Sequence, residues 1–144
     1  MSSEIIAIAA DHAGFALKQV LRKKLEELGF EVLDLGTDSA SSVDYPDFGH
    51  ALARAITEGR AGRGVLVCGT GIGMSMTANR HAGVRAAVCH DVTSARLARE
   101  HNDANVLALG ARLIGSEVAG DSLAAFLETG FAGDRHARRV SKIG

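Results

Sequence analysis

The feature that most limits how this chain folds is its alternation of short, unbroken apolar runs with segments of helical period. Runs of strand length occur at Ile5–Ala10, Glu31–Leu35, Val65–Cys68, Val84–Cys89 and Val106–Leu109. Their apolar residues are consecutive rather than alternating, which suits strands covered on both faces, as in a parallel sheet. Between them, Leu17, Val20, Leu21, Leu25 and Leu28 keep helical spacing before Gly29, a stop signal. Phe48, Leu52, Ala55 and Ile56 repeat the pattern between Pro46 and Gly59. A third helix is predicted from the glycine-rich stretch towards Arg80. A fourth starts at Asp91, an N-cap, with Val92, Ala95 and Ala98 inward. A fifth follows Ser116, with Ala119, Leu123, Phe126 and Leu127 on its apolar face. Strict β/α alternation predicts an α/β fold with helices on both faces of one parallel sheet and right-handed crossovers.

Neither an internal repeat nor a linker interrupts this order, so residues 1–144 read as one domain. A chain of that length buries roughly 70% of its unfolded surface, enough for a core without staples. Sixteen basic residues against seventeen acidic ones leave no electropositive footprint for nucleic acid. No apolar stretch reaches the roughly 18 residues that span a bilayer. Met1, Ser2, Ser3 and Glu4 lack a basic leader region, and Cys68 and Cys89 form no CxxC pair. A reduced, cytoplasmic setting is the expectation.

In a parallel α/β sheet, functional groups gather beyond the carboxyl ends of the strands. There the sequence sets Asp11 and His12 after the first strand, and Gly36 with a polar loop to Asp44 and Tyr45 after the second. Cys68 and the glycines follow the third strand, His90 and Asp91 the fourth, and Arg112 the fifth. An edge so rich in titratable groups points to an enzyme.

The stretch VLVCGTGIGMS, residues 65–75, is the most specific feature on that edge. It is not a dinucleotide fingerprint, because Met74 stands where the third glycine belongs, although Asp91 lies near the offset of a ribose-binding acid. Nor is it a G-x-x-x-x-G-K-[ST] phosphate loop. Two readings remain: glycines serving a tight turn, or a turn whose amides converge on an anion at a helix start. Cys68 is equally a buried small hydrophobe or a thiol poised beside those amides. An unperturbed thiol of pKa ~8.5 is only a few per cent ionised at neutrality, and a helix N-terminus favours its thiolate. Turn amides of this kind stabilise an oxygen that becomes negative when a proton leaves the neighbouring carbon. Cys89 reads as packing.

The six histidines show no compact metal pattern. His101, in REHNDAN at the end of the fourth helix, is either a surface residue or a general acid–base group in a polar pocket. His12 sits on the functional edge; His50, His81 and His90 carry no special signal. In the tail GDRHARRV, Arg135, Arg138 and Arg139 are a solvated face or a phosphate clamp.

Taken in order, AADHAGFALK (9–18), DYPDFG (44–49), VCGTGIGMS (67–75), REHNDANVLALGAR (99–112) and RHARR (135–139) resemble ribose-5-phosphate isomerase B, of the family that includes allose- and galactose-6-phosphate isomerases. The resemblance implies a three-layer α/β/α Rossmann-like fold with a five-stranded parallel sheet. It implies a sugar-phosphate substrate, no metal or organic cofactor, and a homodimer with its sites at the subunit interface, whether or not dimers pair into tetramers. By position it makes Cys68 the catalytic base; Met74 stands where another branch carries a glutamate. It gives ring opening to His101, proton exchange between substrate oxygens to Thr70, and sugar contacts to Asp11 and Tyr45. It makes Gly69, Thr70, Gly71, Ile72 and Gly73, with Asn102, an anion hole, and gives the phosphate to His12, Arg112, Arg135 and Arg139, leaving Arg138 as surface. Two other readings stay open: a six-carbon sugar phosphate as substrate, and a nucleotide- or ligand-binding module without catalysis.

Overall fold

The computed structural model describes residues 4–144, so the reading of Met1, Ser2 and Ser3 as leader-free lies outside the described residues. Five parallel strands form one sheet: β1 (Ile5–Ala10), β2 (Glu31–Asp34), β3 (Arg63–Cys68), β4 (Ala86–Val88) and β5 (Val106–Gly110), in the order β2-β1-β3-β5-β4. Helices alternate with them: α1 (Phe15–Glu27), α2 (Tyr45–Thr57), α3 (Ile72–Ala78), α4 (Val92–Asn102) and α5 (Ser116–Glu128), followed by α6 (Arg135–Ser141).

Strand order decides which face each helix covers. The β1–β2 and β4–β5 connections step one way along the sheet, and the β2–β3 and β3–β4 connections step the other way. Right-handed crossovers then require α1 and α4 on one face and α2 and α3 on the other. The two cores match. Ile6, Ile8, Val65, Val67, Leu107 and Leu109 pack with α1, α4 and α5. Ala7, Ala9, Leu66, Cys68, Val106 and Ala108 pack with α2 and α3. Alternate residues of each strand serve opposite faces, which is why the runs are apolar throughout. The result is a three-layer α/β/α sandwich of Rossmann-like type.

Local signals act as expected at several ends. Gly29 and Gly59 take positive φ just beyond α1 and α2, and the Asp91 carboxylate caps α4 by accepting the Ser94 N–H at 2.6 Å. Four expectations need correction. The fourth strand is three residues, not the six of Val84–Cys89, and the second stops at Asp34 rather than Leu35. Val20, Leu28 and Val92 face solvent, because the buried stripes of α1 and α4 are narrower than their apolar periodicity. The arginine tail, read only as a charge cluster, forms α6.

Candidate active site

The chain reverses its direction of travel between β1 and β3, which opens a crevice at their carboxyl ends. A cavity of about 400 Å³ lies there, lined by Asp11, Tyr45, Cys68, Gly69, Thr70, Ile72, Gly73, Met76 and Arg112. Cys68 ends β3 with only 5% of its surface exposed, yet it lines this cavity, so the thiol is recessed rather than sealed in the core. Its Sγ accepts the Gly71 N–H at 3.1 Å. That contact needs the sharp reversal made by Gly71 at φ +79°, where a side chain would be strained. The Thr70 hydroxyl accepts the Ile72 N–H at 3.2 Å. The N–H groups of Gly69, Thr70 and Gly73 meet no acceptor among the described residues. A turn with three such donors beside a thiol is suited to hold an oxygen as it gains negative charge.

Around this turn the other edge groups are held in place. Asp11 is buried, and its Oδ1 accepts the Gly14 N–H at 3.1 Å. His12 Nδ1 accepts the Val43 N–H at 3.1 Å, which ties the 36–44 loop to the end of β1 and leaves Nε2 as the free ring nitrogen. The Arg112 side chain lies over Gly69. The same loop is anchored at its start by Asp34, whose carboxylate accepts the Gly36 N–H and both pairs with Lys18 and bonds Arg22. Burial alone would push the Asp34 carboxyl up, but Lys18, the Gly36 amide and Arg22 together hold it below the ordinary value of 3.8.

The remaining candidates are elsewhere. α4 leaves the carboxyl edge at Asp91 and returns the chain to β5, so His101 and Asn102 lie at the opposite, amino edge. There they line a second cavity, of about 380 Å³, with His136, Arg139, Val140 and Ile143. The rings of His101 and His136 are stacked. Arg135 and Arg138 are exposed on α6. Asn102 and Ile143 also border a larger cleft, about 520 Å³, which lies along residues 79–87 and contains neither cysteine.

The family described as ribose/galactose isomerase matches this chain over residues 6–143. The chain belongs to that family. Ribose-5-phosphate isomerase B of Escherichia coli (strain K12) is 46% identical over 138 residues, which cover 96% of this chain and 93% of that protein. D-erythrulose-4-phosphate isomerase of Pectobacterium atrosepticum is 46% identical over 140 residues, 96% of this chain and 92% of that one. The crystal structure of ribose 5-phosphate isomerase from Thermotoga maritima aligns with a TM-score of 0.96 at 50% identity, covering 99% of this chain and 98% of that one. The ribose-5-phosphate isomerase B of Clostridium thermocellum gives 0.96 at 49%, covering 97% and 95%. This member of the ribose/galactose isomerases is thus an enzyme, an isomerase whose family chemistry is aldose–ketose interconversion of sugar phosphates.

Against the expected site, one chain of this isomerase brings together Asp11, Tyr45, Cys68, Gly69, Thr70, Ile72, Gly73 and Arg112, with His12 tied in through the loop. It keeps His101, Asn102 and Arg139 apart from them, with Arg135 on the same short helix as Arg139. Met74, at the position of the other branch's glutamate, is fully buried and does not line the Cys68 cavity. Sequence reasoning missed Met76 at the cavity wall and His136 beneath His101. Met76 follows Gly73 by three residues, a helical step that would have found it; His136 had only its place between arginines.

Proposed function

We propose that the chain interconverts ribose 5-phosphate and ribulose 5-phosphate through a cis-enediolate, with Cys68 as base and without a cofactor. The observation that carries this reading is the thiol itself: recessed, lining a cavity, and beside a turn with unused amide donors. His101 moves the proton that opens the furanose. The Cys68 thiolate then takes the C2 proton of the aldose and returns it to C1. The electron pair left behind becomes the enediolate, whose oxygen meets the turn amides; comparable donors elsewhere contribute ~3 kcal/mol each. The Thr70 hydroxyl passes the proton between O1 and O2, and Asp11 and Tyr45 orient the sugar. His12, Arg112, Arg135 and Arg139 hold the phosphate, so remote binding energy positions the reacting end.

We further propose that the site is completed in a homodimer. Cys68 and His101 lie on opposite edges of one sheet, so a single chain does not bring base and ring-opening group to one sugar. Exposed Tyr45, Ile72 and Met76 rim the Cys68 cavity, an apolar collar of the kind a second chain covers. Two-fold pairing of one edge with the other yields two equal sites.

The test is turnover of ribose 5-phosphate and allose 6-phosphate by the native chain and by Cys68→Ala. The native chain should favour the five-carbon substrate in kcat/KM and keep its activity in a chelator. Cys68→Ala should lose roughly 10²–10⁴-fold in kcat with little change in KM, the range for a lost general base. Near-normal turnover in that variant removes the thiol from the mechanism; preference for allose 6-phosphate reassigns the substrate.

A further inference from the structure

Reading His101 as the ring-opening group leaves its aromatic neighbour unexplained. α6 sets the imidazole of His136 face to face with that of His101, ring centroids 4.3 Å apart and planes 10° from parallel. His136 retains 9% of its exposure, whereas Arg135, Ala137, Arg138 and Arg139 around it are all exposed. The short helix thus buries one side chain while its neighbours face solvent, and that side chain is the one in contact with a candidate catalytic ring. The contact is reinforced at both ends. The Ala132 N–H donates to the Glu100 carbonyl at 3.0 Å, pinning the approach to α6 against α4, and the His136 N–H donates to the Gly133 carbonyl at 3.0 Å. Both rings line the same cavity.

We propose that His136 is a positioning residue for His101, fixing the plane in which that imidazole meets the ring oxygen of the sugar. This rests on the assignment of ring opening to His101. An imidazole on the last turn of a helix is otherwise free to rotate about two side-chain bonds, and a flat partner at van der Waals distance removes most of that freedom. A misplacement of about 1 Å at a reacting group costs as much as a hundredfold in rate, so restricting the ring has kinetic value. Neutrality of the lower ring matters too. Burial, then the charges of Arg135, His101 and Arg139, hold the His136 imidazole below its ordinary value of 6.5, against a weaker opposite pull from Asp134. That direction favours the uncharged form of His136 beneath a ring proposed to carry a proton.

The experiment compares ribose 5-phosphate with its 4-deoxy analogue, which lacks the ring-forming oxygen and is permanently open. His101→Ala should lose activity on the cyclic substrate far more than on the open one. His136→Ala should show the same split more weakly, about tenfold in kcat on the cyclic substrate and within about twofold on the open analogue. His136→Phe, which restores a flat ring without a titratable group, should recover most of that loss. The double variant should be no slower than His101→Ala alone, since residues that act through one another are not additive. Equal losses on both substrates for His101→Ala would overturn the ring-opening assignment. A selective His101→Ala beside an unselective His136→Ala would overturn the positioning role alone. So would an equal rise in KM for both substrates in His136→Ala, which would make the residue a phosphate ligand, or a failure of Phe to rescue.

Discussion

The two edges of the sheet hold their functional groups by different means. At the carboxyl edge, Asp11 and Cys68 stand at the ends of the central strands β1 and β3, whose backbones are paired on both sides. Their side chains are then fixed by short-range amide contacts from Gly14 and Gly71. At the amino edge, His101, Asn102, His136 and Arg139 sit on the last turn of α4 and on the seven-residue α6. What steadies them, beside the backbone bond from Ala132 to Glu100, is side-chain work: the imidazole stack, and Arg85 and Arg99 converging on Asp103. The contrast follows the chemistry assigned to each edge. The proposed abstraction of a proton from carbon needs the tightest placement, and its candidate base ends a strand paired on both sides. Ring opening, and the share of phosphate binding proposed for Arg135 and Arg139, fall on an edge held largely by side chains.

If that division is real, the edges must be separable by mutation and must recombine between chains. Neither Cys68→Ala nor His101→Ala should turn over ribose 5-phosphate well alone. Equilibrating the two variants one to one should restore activity to about a quarter of the native value. Half the dimers are then mixed, and each mixed dimer has one of its two sites intact. This is the largest effect anticipated, a recovery of about 25-fold or more over the Cys68→Ala variant, given a loss of roughly 10²–10⁴-fold. Absence of recovery, with subunit exchange verified by mass, would mean that both groups act from one chain and would break the comparison.

The direction of α4 made this split readable in advance. A helix capped by Asp91 at the carboxyl edge and eleven residues long rises about 16 Å, the full depth of a sheet, before His101 is reached. Continuous apolar runs and glycine stops were equally readable, because burial on both faces and positive φ write themselves into residue type. Three things were not. Val20 and Val92 face solvent because apolar spacing says where a stripe is centred and not how wide it is. α6 escaped notice because one buried histidine among arginines has no periodicity to detect. Nothing in the sequence marked Lys18 for burial, since its Asp34 partner is sixteen residues away on a neighbouring strand; tertiary placement alone makes them a pair.

That pair offers a second way to sharpen the contrast. Lys18 is buried, and its ammonium donates to both Asp34 oxygens, at 2.9 and 2.7 Å, and to Gln19. Asp34→Asn would leave a buried cation facing a neutral amide, a loss of about 3 kcal/mol at neutral pH by comparison with other broken buried pairs. Asp103→Asn, on the exposed amino edge and at a left-handed position that Asn tolerates, should cost no more than about 1 kcal/mol. The pH dependence adds a sign. Asp34 is depressed in the fold, so its contribution is complete above about pH 4 and fades as pH falls through the lowered value. Denaturant melts of native and Asp34→Asn chains should therefore converge in acid. A constant gap down to pH 2 would show that the pair is not what stabilises this edge.

The smallest effect expected concerns the mouth of the Cys68 cavity. A Cβ on Gly73 would lie 2.5 Å from the Tyr45 ring, far inside van der Waals contact. Tyr45 is 41% exposed, so it has room to swing outward rather than strain the core. Gly73→Ala should therefore leave thermal stability almost unchanged while moving one wall of the sugar site. An aromatic side chain that no longer closes on the substrate weakens binding without touching the base, which predicts a KM raised about tenfold, ~1.4 kcal/mol, with kcat altered far less. A fall in kcat at constant KM would instead assign the Gly73 amide to the oxyanion alone. An equal loss of thermal stability would mean that Tyr45 serves the fold, and that the carboxyl edge is less strictly a reaction surface than its geometry suggests.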